Sequence, residues 1–552
     1  MTWSRNYTPL VCATMLFIAC VAARGADGEQ RREIPIQPGE HWWAGVIAEA
    51  HRMPFTAESR YEFDFRADTA GNQGQPLLIS DRGRYVWCEE PFWFQFDRSI
   101  IRLRGDFAPF QVGTNGSSLA EAFRHVSRTF FPASGRMPDE LLFTRPQFNT
   151  WIELTYNQNQ ADILEYARAA VAHGYPPGVL MIDEGWAKNY GDWDFNRGRF
   201  ADPKAMMKEL HELGYKVMLW IVPYITPDGQ YFKGLWLDAR EKGRIPWLVD
   251  TQRKDRPVLI EWWDGFSAVA DLTNPHGQTW LKERLDFLVN SYGVNGFKFD
   301  GGNAEHYSPR RMLTPGRAFD ASASPSRHCE LFAQLGVSYP LNEYRACWKM
   351  GGQALAQRLR DKQHNWSDLQ KLIPGILTQG LMGYAFTCPD MIGGGEYLSF
   401  RNLERVDQEL IVRAAQCHAL MPMMQFSVAP WRVLSPKNEE LCLAMAKLHA
   451  SMGDEIVSLA QESARTGKPI VRSLDYQYPG QGYAKITDQF LLERGILVAP
   501  VLKSGARQRT VQFPPGRWRG DDRRVVQGPC VVEVNAPLDC LPWYRKVNAP
   551  DG

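Results

Sequence analysis

The chain has 552 residues, which is too long for a single hydrophobic core and predicts several domains. Its composition, 44% hydrophobic and 23% charged, is that of an ordinary globular protein. A formal net charge of +1 gives no broad attraction to polyanions, so neither a nucleic-acid partner nor an anionic membrane is expected.

The first residues have the pattern of a secretory signal peptide. Arg5 supplies a positive start, the apolar run 10–23 follows, and small residues end it near Ala26. The run is too short for a confident spanning helix, and no other stretch is long and apolar enough to cross a bilayer. We therefore expect residues 1–26 to be removed, and the mature chain to be secreted or periplasmic without a membrane span.

Residues 27–140 are predicted to form an N-terminal β-sandwich. Segments such as YEFDFRAD (61–68) and SIIRLRG (99–105) alternate apolar and polar residues between turns that contain Gly and Asp. This alternation is typical of strands that bury one face, and several short strands in a row favour an antiparallel sandwich. The Pro- and Gly-containing segment 130–140 then predicts a linker.

Residues 141–462 are predicted to form a (β/α)8 TIM barrel. Apolar runs alternate with amphipathic helical patterns such as GGQALAQRLRD (351–361), and we count eight strand–helix units. Strands that alternate with helices favour a parallel sheet, and eight units favour a closed barrel. The predicted strands are TWIELT (150–155), GVLMIDEGW (178–186), KVMLWIVPYI (216–225), VNGFKFDGG (294–302), YPLNEYRAC (339–347), NWSD (365–368), YAFTCPDMIGG (384–394) and MPMMQFSVAP (421–430).

The strand pattern returns after the barrel, and residues 463–552 are predicted to form a C-terminal β-sandwich. The segments DQFLLERGILVAPVL (488–502) and CVVEVNAP (530–537) show this pattern.

The cysteines do not indicate a zinc ribbon or a redox motif, because no CxxC pair is present. Cys530 and Cys540 are spaced so that they could form a disulfide in an oxidising compartment, which the sequence leaves open.

Acidic residues crowd the predicted carboxyl ends of the barrel strands, where barrel enzymes place their active sites. Asp300 ends the strand VNGFKFDGG, and the two glycines after it allow a tight turn and the close approach of a ligand. An ordinary strand-to-loop exit also contains Asp and Gly, so Asp300 alone does not establish a nucleophile. The further strand-end residues are Asp183, Glu184, Glu343, Arg345, Asp368 and Asp390.

Two kinds of site fit an acid-rich barrel. Glycoside hydrolysis needs one carboxylate as nucleophile and a second as acid and then base, and tryptophans suit the walls of a sugar pocket. A divalent-metal site would also use strand-end carboxylates, together with His. The chain has 11 histidines, and none joins these clusters at ligand-like spacing. We therefore favour a site without metal or cofactor, and keep the metal site as the alternative. A phosphate-binding site is less favoured than either, because the sequence has no Gly-rich phosphate loop.

Over nearly the whole mature chain, the sequence resembles glycoside hydrolase family 31. The fragments that carry the resemblance occur in the family's order, and their order and spacing are more specific than any one of them. They are PLLISDRGRYVWCEEPF, WIELT, GVLMIDEGWAKNYGDWDF, KVMLWIVPYI, AVADLTNP, GFKFDGG, WSDLQKLIPGILTQGLMGYAFTCPDMIGG and MPMMQFSVAPWR.

The resemblance implies a retaining exo-α-glycosidase without metal that acts on an oligosaccharide or glycoside. It implies that Asp300 is the nucleophile and that Asp368 is the acid/base. It also implies that Arg345 contacts the sugar and the acid/base. The residues that it implies in substrate binding are Asp183, Trp220, Trp263, Lys298, Arg345, Trp366 and Asp390, while structural support is an equal reading for Asp390 and the tryptophans.

The segment around Asp300 departs from the commonest family pattern, W-x-D-M-N-E. This chain reads F-K-F-D-G-G-N-A-E, and Lys298 is typical of a branch that resembles α-galactosidases. We therefore expect hydrolysis of terminal non-reducing α-linked hexoses, with α-galactosides as the first candidate. An α-glucosidase or α-xylosidase is the alternative within the family. A catalytically inactive sugar-binding protein on the same fold is the alternative outside enzymes.

Overall fold

The computed structural model describes residues 29–547, apart from 67, 107, 254, 255 and 494, together with the backbone of Ala23–Arg24. The predicted signal peptide, 1–26, therefore lies outside the described residues except for that pair. Among the helices in the described part of the chain, none is long and apolar enough to cross a membrane.

Two antiparallel sheets open the chain, as the sandwich prediction requires. The first follows the order Ala23–Arg24, Gln30–Pro35, Ile100–Gly105, Trp93–Asp97 and Arg60–Asp64. In the second, Gln73–Ser80 pairs with Trp42–Val46 and Arg84–Trp87, and the latter pairs with Gln111–Thr114. The 3-10 helix Ile47–Arg52 lies between strands of the two sheets in the sequence. The helix Leu119–Phe130, capped by Ser118, follows.

A parallel barrel of eight strands forms the centre of the molecule. The strands are β1 (Gln147–Asn149), β2 (Val179–Ile182), β3 (Lys216–Ile221), β4 (Gly296–Phe299), β5 (Leu341–Tyr344), β6 (Gln357–Arg358), β7 (Thr387–Cys388) and β8 (Gln425–Phe426). They pair in chain order from β1 to β7, and β8 pairs with β1. A parallel bridge between Ile392 and Phe426 brings the chain after β7 to β8 and closes the ring.

Helices surround the barrel. The longer ones are Gln160–Ala172, Pro203–Glu212, Gln230–Lys242, Pro275–Tyr292, Pro325–Gly336, Leu372–Leu381, Gln408–Ala419, Pro436–Ser451 and Gly453–Thr466. The short α-helices are Leu141–Thr144, Trp151–Leu154, Trp366–Leu369, Pro430–Val433 and Leu474–Gln477. The remaining 3-10 helices are Ala304–Tyr307, Leu398–Phe400 and Leu403–Arg405.

Three of the predicted barrel segments have a different structure. The segment TWIELT is largely the helix Trp151–Leu154, and strand β1 precedes it. NWSD belongs to the helix Trp366–Leu369, whose first turn is capped by the side chain of Asn365. The sixth strand is instead β6, inside the segment 351–361, which was predicted as an amphipathic helix. Pairing with β5 and β7 overrides that local preference, as tertiary context often does.

The long connection after β3 carries a hairpin that reaches the barrel rim. Its strands are Leu259–Trp262 and Gly265–Val269, and the second pairs with Tyr224–Ile225. Trp263 and Asp264 form the turn of the hairpin. Two further short strands, Val249–Asp250 and Gly316–Arg317, pair with each other beside it.

The N-terminal sheets are bonded directly to the barrel. The strand Cys347–Trp348, which follows β5, pairs in parallel with Gln73 and Gly74. The side-chain amide of Gln73 also donates to the carbonyl oxygens of Arg345, at 2.6 Å, and Arg358, at 2.7 Å. Because these arginines follow or end strands β5 and β6, the N-terminal sheets help to fix the top of the barrel.

Six antiparallel strands form one sheet at the C-terminal end. They follow the order Val471–Arg472, Phe490–Leu492, Ile496–Val498, Trp543–Val547, Gln508–Gly520 and Val525–Asn535. Residues such as Leu491, Phe513 and Trp518 form a separate apolar core on it. The Cys530 and Cys540 thiols are both free in this structure.

Candidate active site

A cavity of about 280 Å3 opens at the carboxyl ends of the barrel strands. Its walls come from residues directly after β2, β4 and β5, from the loops after β6 and β7, and from the hairpin turn. The lining residues are Trp151, Tyr156, Asp183, Glu184, Trp220, Trp263, Lys298, Asp300, Arg345, Asp361, Met391 and Gly395. Six of the nine sequence-predicted site residues, Asp183, Trp220, Trp263, Lys298, Asp300 and Arg345, are therefore together in it.

Alternation along β4 explains how this strand serves both the core and the cavity. Phe297 and Phe299 pack outward, with ring centroids 5.0 Å from Tyr339 and 5.5 Å from Phe332 respectively. Successive side chains of a strand point to opposite faces, so Lys298 points into the barrel. The strand therefore delivers Lys298 and then Asp300 to the cavity.

Asp300 is held by donors from three directions. Its Oδ1 accepts hydrogen bonds from Arg345 Nε and from the Gly301 amide, both at 2.8 Å, and Arg345 Nη2 lies 2.7 Å from the same oxygen. Its Oδ2 accepts from the Trp220 indole nitrogen at 3.0 Å. Burial by itself would raise the pKa of Asp300, but Arg345 and Lys298 lower it far below its ordinary value. The carboxylate is therefore ionised throughout the physiological range of pH.

The two glycines after Asp300 are needed for the shape of this turn. Gly301 and Gly302 have φ angles of +60° and +61°, a region that other residues adopt rarely. A Cβ on Gly301 would lie 2.8 Å from the Tyr224 hydroxyl, and one on Gly302 would lie 2.6 Å from the Phe332 ring. The tight turn expected from the sequence is present, and the close neighbours are protein side chains.

Lys298 and Asp183 form a buried ion pair across the barrel. The Lys298 ammonium lies 2.7 Å from Asp183 Oδ2, and both side chains are about 95% buried, with exposures of 5% and 4%. Burial alone would lower the pKa of Lys298, but Asp183 raises it above its ordinary value. The pair therefore presents two charged groups to the cavity, and their charges cancel.

Asp361 is the cavity carboxylate that the sequence analysis did not include. It follows β6, and its Oδ1 accepts from Arg358 Nη1 at 2.7 Å. The side chain is 49% exposed, since it faces the open cavity. Burial alone would raise the pKa of Asp361, but Arg358 and Arg345 lower it. Asp300 and Asp361 are thus two carboxylates that share one cavity.

Asp368 and Trp366 do not line this cavity. Asp368 Oδ1 accepts from Lys371 at 2.6 Å, and its Oδ2 accepts from the Gln363 amide at 2.8 Å. The Trp366 indole donates to Asp407 at 2.8 Å. Both residues lie on the short helix Trp366–Leu369, so the structure does not bring Asp368 to the position that an acid/base requires. The physical reason is that β6 ends earlier in the chain than the sequence suggested.

Asp390 is fully buried behind the cavity and does not line it. It accepts from Arg358 Nη1 at 2.8 Å and from the Lys362 amide at 2.6 Å. Burial raises the pKa of Asp390 to about 7. Arg358 also donates to Glu343 at 3.0 Å, so one buried guanidinium holds three carboxyl groups, including that of Asp361. The position of Asp390 agrees with the structural-support reading.

Two tryptophans form different walls. Trp220, on β3, is 1% exposed and donates to Asp300, so it positions a carboxylate. Trp263, at the hairpin turn, is 45% exposed, with the Arg345 guanidinium 5.4 Å from the ring centroid. Its exposed face is available to a sugar ring. The structure therefore brings two of the three predicted tryptophans, Trp220 and Trp263, into the site.

Glu184, one of the strand-end acids of the sequence analysis, also lines the cavity. Both of its carboxyl oxygens have hydrogen-bond partners in the protein. Oε1 lies 2.7 Å from the Tyr190 hydroxyl, and Oε2 accepts from the Trp263 indole at 3.2 Å. Burial raises the pKa of Glu184 to about 8, although the hydrogen bond from Trp263 opposes the shift.

Among the described residues, no group of three or more His, Cys, Asp or Glu side chains is placed to hold a metal ion. The three cavity aspartates, Asp183, Asp300 and Asp361, are bonded instead to Lys298, Arg345 and Arg358. Their negative charge is thus balanced by cationic side chains of the chain itself.

Two family descriptions match the chain. The Glycosyl hydrolases family 31 TIM-barrel domain matches residues 142–436, and the Glycosyl hydrolase family 31 C-terminal domain matches residues 467–549. The first match alone covers more than half of the chain and includes every residue of the cavity. The chain belongs to glycoside hydrolase family 31. It is therefore a glycosyl hydrolase with the family's barrel and C-terminal sheet domain.

Relatives within family 31 differ in the activity that their names give. The chain is 32% identical to the Myogenesis-regulating glycosidase of Mus musculus, over 90% of this chain and 73% of that protein. It is 24% identical to Alpha-glucosidase 2 of Bacillus thermoamyloliquefaciens, over 70% of this chain, and the match spans only 51% of that relative. The family is thus clear, while the names of its members do not agree on one sugar.

Solved structures of family 31 share the fold. The GH31 dextranase of Flavobacterium johnsoniae, complexed with glucose, superimposes with a TM-score of 0.81 at 19% identity. That superposition covers 95% of this chain and 67% of the dextranase. At this level of identity the likeness establishes the barrel architecture, and the chemistry has to be argued from this chain's own residues.

A signal for Asp361 was present in the sequence. Residues at the carboxyl end of a barrel strand are the candidates for catalysis, and Asp361 lies three residues after β6. The segment before it reads as a helix, because Ala, Gln, Leu and Arg all favour helices. Without β6, the next acidic residue available for a sixth strand end was Asp368.

Proposed function

We propose that this family 31 enzyme is a retaining exo-α-glycosidase that removes one terminal α-linked hexose at a time. The observation that supports it is the pairing of Asp300 with Asp361 in a single small cavity. A volume of about 280 Å3 is at the lower end of ligand pockets, so one sugar ring suits it better than a chain that crosses it.

Asp300 acts as the nucleophile in this proposal. A double displacement needs a carboxylate that is ionised before the sugar arrives, and the charges of Arg345 and Lys298 hold Asp300 in that form. Its Oδ1 accepts two hydrogen bonds and also contacts Arg345 Nη2, whereas Oδ2 accepts one hydrogen bond, from Trp220. Oδ2 is therefore the oxygen that attacks the anomeric carbon.

Asp361 acts as the acid in the first step and as the base in the second. It replaces Asp368 in that role, because Asp361 faces the cavity and Asp368 does not. In the free enzyme its pKa is lowered by Arg358 and Arg345. A bound sugar excludes water from the exposed half of the side chain, which raises the pKa and favours the protonated form.

We propose an α-galactoside as the preferred substrate, with α-glucosides and α-xylosides as the alternatives. Lys298 supports this choice, because it stands two residues before the nucleophile, where the common family pattern has tryptophan. The Lys298–Asp183 pair can both donate to and accept from sugar hydroxyls, so it is suited to select their orientation. Neutralisation of Lys298 by Asp183 disfavours an anionic sugar.

A panel of aryl α-galactosides, α-glucosides and α-xylosides tests this proposal with purified full-length protein. We expect the highest kcat/KM on the α-galactoside, and proton NMR of the first product should show the α-anomer. Turnover that persists in Asp300→Ala would place the reaction elsewhere. No turnover of any glycoside, with binding retained, would favour the inactive sugar-binding protein.

A further inference from the structure

Three oxygen atoms lie in a row at the edge of the sugar cavity. The hydroxyl of Tyr190 contacts Glu184 Oε1 at 2.7 Å, and it makes a still closer contact with Asp264 Oδ2. A phenol has one hydrogen to donate, and an ionised carboxylate has none. Two hydrogen bonds between three oxygens therefore require a second proton, which one of the two carboxyl groups must carry.

Burial assigns that proton to Glu184. Glu184 is 4% exposed, whereas Asp264 is at the exposed tip of the hairpin. Charge is more costly in the buried group, and burial accordingly raises the pKa of Glu184 to about 8. Burial also raises the pKa of Tyr190 far above its ordinary value, so the phenol keeps its hydrogen. Glu184 then donates to Tyr190, and Tyr190 donates to ionised Asp264.

The charged and titratable groups around Glu184 agree with this assignment. Asp183 and Asp264 both disfavour a second negative charge on Glu184, and Tyr156 faces the same cavity. The nearby cations are engaged elsewhere, Lys298 with Asp183 and Arg345 with Asp300. Within the described part of the chain, Glu184 makes no ion pair that would stabilise its charged form.

The neutral acid holds both residues of the hairpin turn. The Trp263 indole donates directly to Glu184 Oε2 at 3.2 Å, and Asp264 is joined to Oε1 through Tyr190. The base of the hairpin is fixed separately, by pairing of Ala268 and Val269 with Ile225 and Tyr224. Glu184 therefore links both residues of the turn by hydrogen bonds, in addition to the contacts of Trp263 with Arg345 and Trp262.

We propose that Glu184 is a positioning residue that works as a neutral acid and holds the Trp263 turn over the sugar cavity, and that loss of its proton releases this turn. The effect on catalysis rests on the proposed function, in which Trp263 contacts the sugar. With Glu184 and Asp264 both ionised, Tyr190 has one hydrogen for two anions. The repulsion weakens the hydrogen bonds that hold the hairpin turn, while Asp300 and Asp361 stay in place. Sugar binding by Trp263 is then impaired more than the chemical step, so KM should change more than kcat.

Three variants test the role in steady-state kinetics between pH 6 and pH 9. Glu184→Gln keeps one acceptor and one donor without titrating, so it mimics the neutral acid. Glu184→Ala removes both the acceptor and the donor. Loss of a buried hydrogen bond of this kind corresponds to roughly a tenfold change in binding. We expect KM of the alanine variant to rise about tenfold at every pH, and KM of wild type to rise similarly only at the alkaline end.

The glutamine variant decides the protonation state. It should stay within about threefold of wild-type KM at pH 6 and show no alkaline rise, which is rescue by the neutral analogue. Glu153→Gln is the matched control, because Glu153 is a carboxylate bonded to Arg432 near the same end of the barrel, and it should keep the wild-type alkaline rise. A glutamine variant as impaired as the alanine variant would overturn the proposal.

Infrared difference spectroscopy gives a readout that does not depend on turnover. A neutral-carboxyl band that fades through about pH 8 should be present in wild type and missing from Glu184→Gln, whereas the band of Asp390, which fades near pH 7, should be the same in both proteins. No such difference between the two proteins overturns the inference even if the enzyme is active. Conversely, absence of turnover on every glycoside contradicts the proposed function, and the infrared result still locates the proton.

Discussion

Arg345 contacts one oxygen of Asp300 through two nitrogens: Nε donates a hydrogen bond to Oδ1 at 2.8 Å, and Nη2 lies 2.7 Å from the same oxygen. The guanidinium is permanently charged, so this contact keeps the carboxylate ionised and fixes its orientation. The other oxygen, Oδ2, accepts a hydrogen bond from Trp220. The sequence hypothesis paired Arg345 with the sugar and the acid/base, whereas its hydrogen bonds in the structure are with Asp300.

Asp300→Ala and Asp361→Ala should fail differently. Loss of the nucleophile blocks formation of the glycosyl-enzyme for every substrate. Loss of the acid/base should lower kcat by about a hundredfold or more on poor leaving groups, but much less in the first step with an activated aryl glycoside. Azide should speed turnover of Asp361→Ala and give the α-glycosyl azide, because a small anion needs no general base.

Asp368→Ala is the control for that experiment. Asp368 is bonded to Lys371 outside the cavity, and such substitutions usually change free energies by about 0.5 kcal/mol or less. We expect turnover within about threefold of wild type. If Asp368→Ala is as damaging as expected for Asp361→Ala, and azide rescues it, the roles return to the sequence hypothesis.

The pH dependence of kcat/KM should differ between leaving groups. Burial tends to raise the pKa of Asp361, but Arg358 and Arg345 lower it in the free enzyme. The protonated fraction that a poor leaving group needs therefore falls as pH rises through the neutral range. We expect kcat/KM on an alkyl glycoside to decline with pH more steeply than on a nitrophenyl glycoside. Parallel profiles would contradict general-acid catalysis by Asp361.

Lys298→Met should destabilise the protein, because it leaves Asp183 buried without its partner. Breaking a buried ion pair costs about 3–5 kcal/mol of unfolding free energy. The matched control is Lys282→Met, whose partner Asp286 lies on an exposed face, where pairs contribute about 0–1 kcal/mol. Chemical denaturation measures both. If the two variants lose equal stability, the pair does not act as a buried interaction.

Glu184 should make the protein less stable as pH rises. Its pKa is about 8 in the folded protein, against an ordinary value of 4.5, so the folded state binds more protons between these values. Stability from this group is then fully present below about pH 4.5 and is lost as pH rises through about 8, with a slope of up to about 1.4 kcal/mol per pH unit. Glu184→Gln should lack this slope in urea unfolding. Identical slopes would show that Glu184 is ionised in the folded protein.

Chelation should not lower the activity. The three cavity aspartates are bonded to Lys298, Arg345 and Arg358, and these cations supply the positive charge that a metal would otherwise provide. We expect unchanged kcat/KM after dialysis against EDTA. Loss of activity that a divalent cation restores would favour the metal-site alternative.

The sequence was sufficient for the barrel and for its central strand. The segment VNGFKFDGG combines alternating apolar residues, an acid and two glycines, and each feature has a local cause that the structure confirms: outward Phe297 and Phe299, inward Lys298, and positive φ at Gly301 and Gly302. Strong local patterns of this kind do not depend on the rest of the chain. The same is true of strand β2, which ends directly before Asp183, and of strand β3, which contains Trp220.

Tertiary structure alone decided which acid joins Asp300. Strand β6 has two residues. It forms because β5 and β7 pair with it and because the Gln73 side-chain amide donates to the Arg358 carbonyl oxygen. No window of the sequence contains those partners, so helix propensity prevailed there and Asp368 was chosen over Asp361. The proton on Glu184 has the same origin. It follows from burial and from contacts with Tyr190 and, through it, Asp264 on a distant hairpin, and these exist only once the chain has folded.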